Sequence, residues 1–427
     1  MAAQLSNESP RALLQSLFET AVDAAHPRTV LPGQLPQGVP AGRNIVLGAG
    51  KAAASMAAVA ADLLEGETGG MVVTRYGHAE DCDTGAIEVV EASHPVPDQN
   101  SARAAGNMLA LAASASSEDR VIFLFSGGGS ALLCAPIDGV SAVTKRDVTR
   151  FLLHSGAAID EINLVRKHLS TIKGGGLASR AGQAELYTII ISDVVGDDPS
   201  DVASGPSIDM RRNAADALAL LERYGYPGLE DLRAPLSAIV QRPVKDHPVS
   251  VAASASTALA AIEEAAGGAG WTVVNLGDDI EGDATEVGKR HADLALSRRN
   301  AGEPCVLISG GELTVHVKNS DGRGGPNLEY LTSVMLTLDG AKEIFAIACD
   351  SDGIDGSEDN AGGFIAPDSL DRAKSKNIDM ARLLDSNNTY DGFAALGDLV
   401  VSGPTQTNVN DIRIILVNPT DEVHERA

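Results

Sequence analysis

Aromatic side chains make up only 3% of the 427 residues, and there is a single tryptophan. With so few large rings, close packing has to come from alanine, glycine and branched aliphatics, a composition typical of α/β proteins. Basic residues are also scarce, 33 against 58 acidic ones, for a net charge of −25. A chain this acidic is repelled by nucleic acid and by anionic membranes, so neither is expected as a partner. An anionic substrate would need a locally basic site, which gives weight to lysines and arginines beside glycine loops. Most of the carboxylates read as a solvated surface. The four cysteines, Cys82, Cys134, Cys305 and Cys349, lie far apart and form no CxxC pair. That argues against a zinc ribbon, a dithiol redox site or a secreted disulfide scaffold, and reduced thiols fit a cytoplasmic protein. No apolar run reaches about 18 residues, so no membrane span is expected. The opening MAAQLSNESPRALL lacks the basic region and long apolar core of a signal peptide.

The chain is long enough for two or three domains, each with its own core. Its most informative stretch is VIFLFSGGGSALL, residues 121–133. A continuous apolar run reads as a strand buried on both faces of a parallel sheet. The turn Ser126-Gly127-Gly128-Gly129-Ser130 then leaves no Cβ in the way of a ligand, and a helix start behind it favours an anion. The device recurs in Val306-Leu307-Ile308-Ser309-Gly310-Gly311-Glu312. Around the first copy, strands are expected at 45–47, 71–74, 87–90 and 186–191. Helices are expected from Ser9-Pro10, through Leu64, and over 101–113, 144–155 (with Thr144 and Asp147 as a capping box variant) and 159–181, the last broken at Gly174-Gly175-Gly176. This alternation implies a doubly wound, mostly parallel α/β/α sheet. Pro227, Pro235 and Pro243 mark a boundary, giving an amino-terminal Rossmann-like domain of residues 1–242 and a smaller carboxy-terminal α/β domain of 243–427. The second domain should open with a strand at 249–253, carry a strand at 313–317, and end in strands at 399–401 and 412–417 and a polar tail.

Several loops carry chemistry. Gly48-Ala49-Gly50-Lys51 opens a helix after a strand, where phosphates bind. As GxGxxA it is a weak dinucleotide fingerprint, with Arg75 where a ribose-binding acid would stand, which would suit NADP. Read instead as a kinase element, it offers Lys51 as a cation beside backbone donors. Asp193 follows a buried strand, with Asp197 and Asp198 behind it, and carboxylates there suit Mg²⁺ completed by phosphate oxygens. Asp350-Ser351-Asp352-Gly353 is a candidate ligand-facing loop. It fails the EF-hand pattern because Ala361 stands where a glutamate is required. Arg323, among glycines in Gly322-Arg323-Gly324-Gly325-Pro326-Asn327, can reach a phosphoryl group or a carboxylate. His94 reads as structural. Asn163, Arg166, Lys167 and Lys173 form a polar, basic helix pair expected mostly to face solvent.

Together GAGKAAASMA, SHPVPDQNS, FSGGGSALL, INLVRKHLSTIKGGGLA, ISDVVGDDPSDVASGPS, ISGGELTV, GRGGPN, ACDSDGIDGS and GPTQTNVND resemble, in order, the two-domain class II glycerate 2-kinases. The resemblance implies a transferase that uses ATP and a divalent metal, Mg²⁺, to phosphorylate D-glycerate at its 2-hydroxyl, in a cleft between the two domains. It implies Lys51 and Arg323 as catalytic residues, with Asp193 helping to place Mg²⁺ or the glycerate hydroxyl. Gly127, Gly128, Gly129, Ser130, Gly310, Gly311 and Glu312 become nucleotide or phosphate contacts, and Asp350, Asp352 and Asn327 substrate or loop candidates. It also allows a homodimer. Pro326 and Leu328 depart from the GRGGRNQE that much of the family carries. Members are often labelled hydroxypyruvate reductase, so an NAD(P)H-dependent reductase is the alternative reading.

Overall fold

The computed structural model describes residues 9–79, 82–210, 213–240 and 242–418. The chain divides into two compact units, Val30–Ala252 and Met1–Thr29 with Ala253–Ala427. The expected boundary at 242/243 falls ten residues short of this division, and the amino-terminal helix groups with the second unit.

Six strands make the sheet of the first unit: β1 (Asn44–Ala49), β2 (Thr68–Arg75), β3 (Ile87–Ala92), β4 (Arg120–Ser126), β5 (Glu185–Ile191) and β6 (Val249–Ala253). Their order is β3-β2-β1-β4-β5-β6. The pairings of β3 with β2, β2 with β1, β1 with β4 and β4 with β5 are all parallel. Every residue of β1 and β4 is buried, as unbroken apolar runs require of central parallel strands. Ile45, Leu47, Phe123 and Phe125 share one core with Ala104 and Met108 of the helix Gln99–Ala113. The chain runs from β1 outward to β2 and β3, then returns to the other side of β1 for β4, so the strand order reverses between β1 and β4. In open α/β sheets, ligands bind at the carboxyl ends of the strands beside such a reversal. A second core joins Val148, Leu152, Val165, Leu221 and Leu232 from four helices outside the sheet.

Three local expectations change. The strand at 249–253 is the edge of this sheet rather than the start of the second set, because sequence order does not dictate sheet membership. The helix Ala142–His154 begins two residues early, and Ser141 is the cap, accepting the N–H of Thr144 at 2.9 Å. The basic segment is helical only over Ile159–His168, followed by turns and a single 3-10 turn at Ala178–Arg180.

The second unit holds a mixed sheet. Its strands are β7 (Val273–Asn275), β9 (Cys305–Ser309), β11 (Ile344–Asp350), β12 (Gly362–Ile365), β13 (Leu399–Val400) and β14 (Asp411–Val417), in the order β13-β12-β11-β14-β9-β7. β14 runs antiparallel to both β11 and β9. The expected strand at 313–317 shrinks to β10 (Leu313–Thr314), paired with β8 (Gly282–Asp283). The helix Pro10–Ala25 starts at a Ser9 cap followed by proline, and buries Leu13, Leu14, Leu17 and Phe18. It packs on the helix Ala255–Gly268 and on β11 and β14. The expected polar tail lies outside the described residues.

Candidate functional site

In the first unit the parallel register brings the strand ends into line. Ala49 of β1 sits opposite Phe125 of β4, and Ser126 sits opposite Ile191 of β5. The residues just beyond these ends, Lys51, Ser126–Ser130 and Asp193, therefore share the carboxyl edge of the sheet at its reversal. Backbone and side chain then lock the turns together. The Lys51 N–H donates to the Gly127 carbonyl at 2.8 Å, and the Ala52 N–H to the Ser126 hydroxyl at 3.0 Å. Gly128 turns with φ +82°, and a Cβ there would sit 3.2 Å from the His94 ring and 3.3 Å from Lys51 Cγ. The Lys51 and His94 side chains thus flank Gly128 and leave no room there for a side chain. The helix behind the triple glycine, Gly129–Leu132, is only four residues long. It brings little dipole; the longer helix, Ala53–Leu63, follows Lys51.

The glycines of Gly48-Ala49-Gly50 have a reason other than a dinucleotide. A Cβ on Gly48 would come within 2.4 Å of the Leu124 carbonyl, and one on Gly50 within 2.1 Å of the Ser126 hydroxyl. Close approach of β1 to β4 accounts for both.

Ser130 belongs to a second cluster. Its hydroxyl lies 2.6 Å from the Ser204 hydroxyl. Lys173 Nζ donates to the Ser130 carbonyl at 2.7 Å and to Ser204 Oγ at 3.2 Å. Ala203 and Ser204 hold φ of 52° and 63°, left-handed values uncommon for residues with a side chain, and such strain collects at functional sites. Asp193 is half-buried just past β5. Among the described residues no group of three His, Cys, Asp or Glu side chains is arranged to hold a metal ion. A cavity of about 260 Å³ lies elsewhere in this unit, lined by Gly174–Gly176, Arg180 and Arg242 and by none of the expected site residues.

The remaining expected residues belong to the second unit. Arg323 is exposed in its loop, paired with Glu358 (Nη2 to Oε2, 2.6 Å) and Asp391 (3.0 Å), with its guanidinium 4.3 Å over the Tyr390 ring. The carbonyls of Gly310 and Gly311 accept from buried Arg413 at 2.8 and 2.9 Å, while Glu312 is exposed. Asn327 and Asp352 are buried, and Asp350 is half-buried. Asp352 Oδ1 accepts from Ile354 N–H at 2.7 Å within its loop, and Asn327 Nδ2 donates to Asp411 of β14 at 2.7 Å. Asp355 accepts the N–H groups of Asn327 and Leu328 at the start of the helix Pro326–Leu338. Burial, and then Asp411, push its carboxyl up to about 7.

Residues 13–237 match a family described as a domain of unknown function, DUF4147, and residues 305–411 match the MOFRL family. The D-glycerate 2-kinase of Thermotoga maritima is 34% identical over 415 residues, covering 96% of this chain and 99% of that protein. The chain belongs to the glycerate kinase family of enzymes. A crystal structure of a Thermotoga maritima glycerate kinase superposes with a TM-score of 0.85 at 32% identity, over 96% of this chain and 100% of that one. An Agrobacterium vitis protein provisionally named hydroxypyruvate reductase is 47% identical over 96% of this chain and 95% of its own. His94, read as structural, stands beside the triple-glycine turn, and Lys173, expected mostly to face solvent, is buried against Ser130 and Ser204. The available signal was their position in motifs beside glycine turns.

Proposed function

We propose that this chain transfers the γ-phosphoryl group of ATP to the 2-hydroxyl of D-glycerate, yielding 2-phosphoglycerate and ADP. The placement of Lys51 and His94 around the Gly127–Gly129 turn at the reversal of a parallel sheet carries the reading. Likeness to proteins named glycerate kinase over nearly the whole chain supports it. In the transfer the hydroxyl oxygen bonds to the γ-phosphorus, the bond to the bridging oxygen breaks with its electron pair going to ADP, and the hydroxyl proton is released to water. Lys51 supplies a cation beside backbone amides, where charge spreads over the transferring group. Arg323 supplies a second, exchanging Glu358 for phosphate oxygens through its planar fork. Asp193 suits Mg²⁺, which takes one or two carboxylates and completes its shell with water and phosphate oxygens. The metal, when bound, would neutralise phosphate charge.

The test incubates the protein with ATP, Mg²⁺ and D-glycerate, resolves 2- from 3-phosphoglycerate, and runs NADPH with hydroxypyruvate alongside. The expected result is 2-phosphoglycerate and no NADPH oxidation. NADPH oxidation without phosphoglycerate would replace the kinase with the reductase.

A further inference from the structure

The cavity of about 260 Å³ in the first unit is lined by two cations, two anions and an apolar stretch. Its charged residues are Arg180, Arg242, Asp138 and Asp209. Among the described residues, none of these four side chains makes a hydrogen bond or an ion pair. The backbone donors of the glycine wall are committed elsewhere. The N–H groups of Gly174 and Gly175 donate to the carbonyls of Ser204 and Gly205 at 3.0 and 2.8 Å, and that of Gly176 to the Lys173 carbonyl at 3.1 Å. An anion in the cavity therefore falls to the two guanidinium groups, whose planar forks match a carboxylate. Asp138 and Asp209 oppose a second negative charge and favour a cationic group in its place. Pro235 of the helix Leu229–Ser237, with Ile239 and Val240 just beyond it, supplies apolar lining. Val240 is left 82% exposed, apolar surface that a ligand's side chain would cover. The volume is below the roughly 300–1,000 Å³ of pockets that hold drug-sized ligands, which restricts the cavity to a small molecule.

We infer that this cavity binds a free α-amino acid with an apolar side chain, its carboxylate on Arg180 and Arg242, its ammonium on Asp138 and Asp209, and its side chain on Pro235, Ile239 and Val240. The site stands apart from the kinase reading. D-Glycerate has no cationic group and no apolar part, so the same lining discriminates against it. ATP is too large for the space and too negative for the two carboxylates. The glycine wall is bonded to the segment whose Ser204 hydroxyl meets Ser130, but no residue of the triple-glycine turn lines the cavity.

The test is calorimetric titration of the full-length protein with L-leucine, L-isoleucine and L-methionine. Three comparison probes each lack one feature of leucine: 4-methylpentanoate the ammonium, 3-methylbutylamine the carboxylate, and glycine the side chain. At least one of the three apolar amino acids should bind, at one site per chain, and the comparison probes should bind about tenfold or more weakly. Arg180→Gln, Arg242→Gln and Asp209→Asn change exposed side chains, so each should keep its circular dichroism while losing about tenfold or more in affinity. Saturating D-glycerate should leave the amino-acid affinity within about twofold. Absence of binding by all three amino acids at millimolar concentration overturns the proposal. So does unchanged affinity in the three variants, which would put the ligand elsewhere. Binding of 4-methylpentanoate as tight as that of leucine would overturn the role of the two carboxylates. Displacement of the amino acid by D-glycerate would place it in the substrate's site and overturn a separate one. None of these outcomes depends on whether the protein makes phosphoglycerate.

Discussion

Lys51 and Arg323 are both cations on glycine-rich turns, but their surroundings differ. Lys51 is half-buried, its backbone tied to Gly127 and its stem against Gly128. Arg323 is exposed and already shared between two carboxylates and an aromatic ring. Substituting either by alanine should lower kcat by about 10² or more, by analogy with the loss of one preorganised charge-stabilising donor. Circular dichroism should be unchanged, and wild-type kcat would remove that residue from the mechanism. Gly128→Ala tests the turn. A Cβ there meets His94 and Lys51 at 3.2–3.3 Å on a left-handed backbone, and strain of this kind is worth about 1–3 kcal/mol. Turnover should fall with little loss of bulk fold; Gly77→Ala, with open space around its Cβ but an equally left-handed φ of +80°, should leave turnover unchanged.

The elements explain what could be read in advance. The strand cores of β1, β4 and β5 were visible because unbroken apolar runs between glycine and aspartate turns have few other uses. The Lys51 and Ser126 loops were placed correctly at strand ends for the same reason. Sheet membership of residues 249–253 was not visible, since a short half-exposed strand carries no mark of its neighbour. Nor was the burial of Lys173 and Lys145, since lysine reads as surface unless its partners are known. Nor were the bonds of Asn327 and Asp352 visible, since a glycine loop in sequence does not show that Asn327 Nδ2 bonds the carboxylates of Asp355 and Asp411 or that Asp352 accepts the Ile354 N–H. The helix Pro10–Ala25 was legible as a helix but not as part of the second unit. Leu17, fully buried in it, gives a direct check: Leu17→Ala should cost about 2–5 kcal/mol in urea unfolding of the intact chain. The loss should appear in the transition of the unit that contains residues 253–427. A loss confined to the transition of Val30–Ala252 would contradict the grouping.

At the scale of the whole molecule, two buried groups oppose each other in pH. His291, which lies 2.9 Å from the Tyr330 hydroxyl, is pushed from 6.5 down to about 4, first by burial and then by Arg413. Its depressed pKa means stability present above pH 6.5 and lost as pH falls through about 4. Asp355 is raised from 3.8 to about 7, so its contribution is full below pH 3.8 and is lost as pH rises through about 7. Urea midpoints measured across this range should lose their acid-side slope in His291→Gln. They should lose the decline between pH 4 and 7 in Asp355→Asn, whatever each substitution does to the absolute midpoint.

The first unit is inserted in the chain between two parts of the second, and this has a consequence in time. The helix Pro10–Ala25 leaves the ribosome before the rest of its unit, and the surface that covers Leu13, Leu17 and Phe18 begins only at Ala253, after the 223 residues from Val30 to Ala252. At bacterial or eukaryotic synthesis rates that is an interval of about 10–45 s. During it the inserted unit can finish folding while an apolar helix waits uncovered, the span in which a holding chaperone would find this chain.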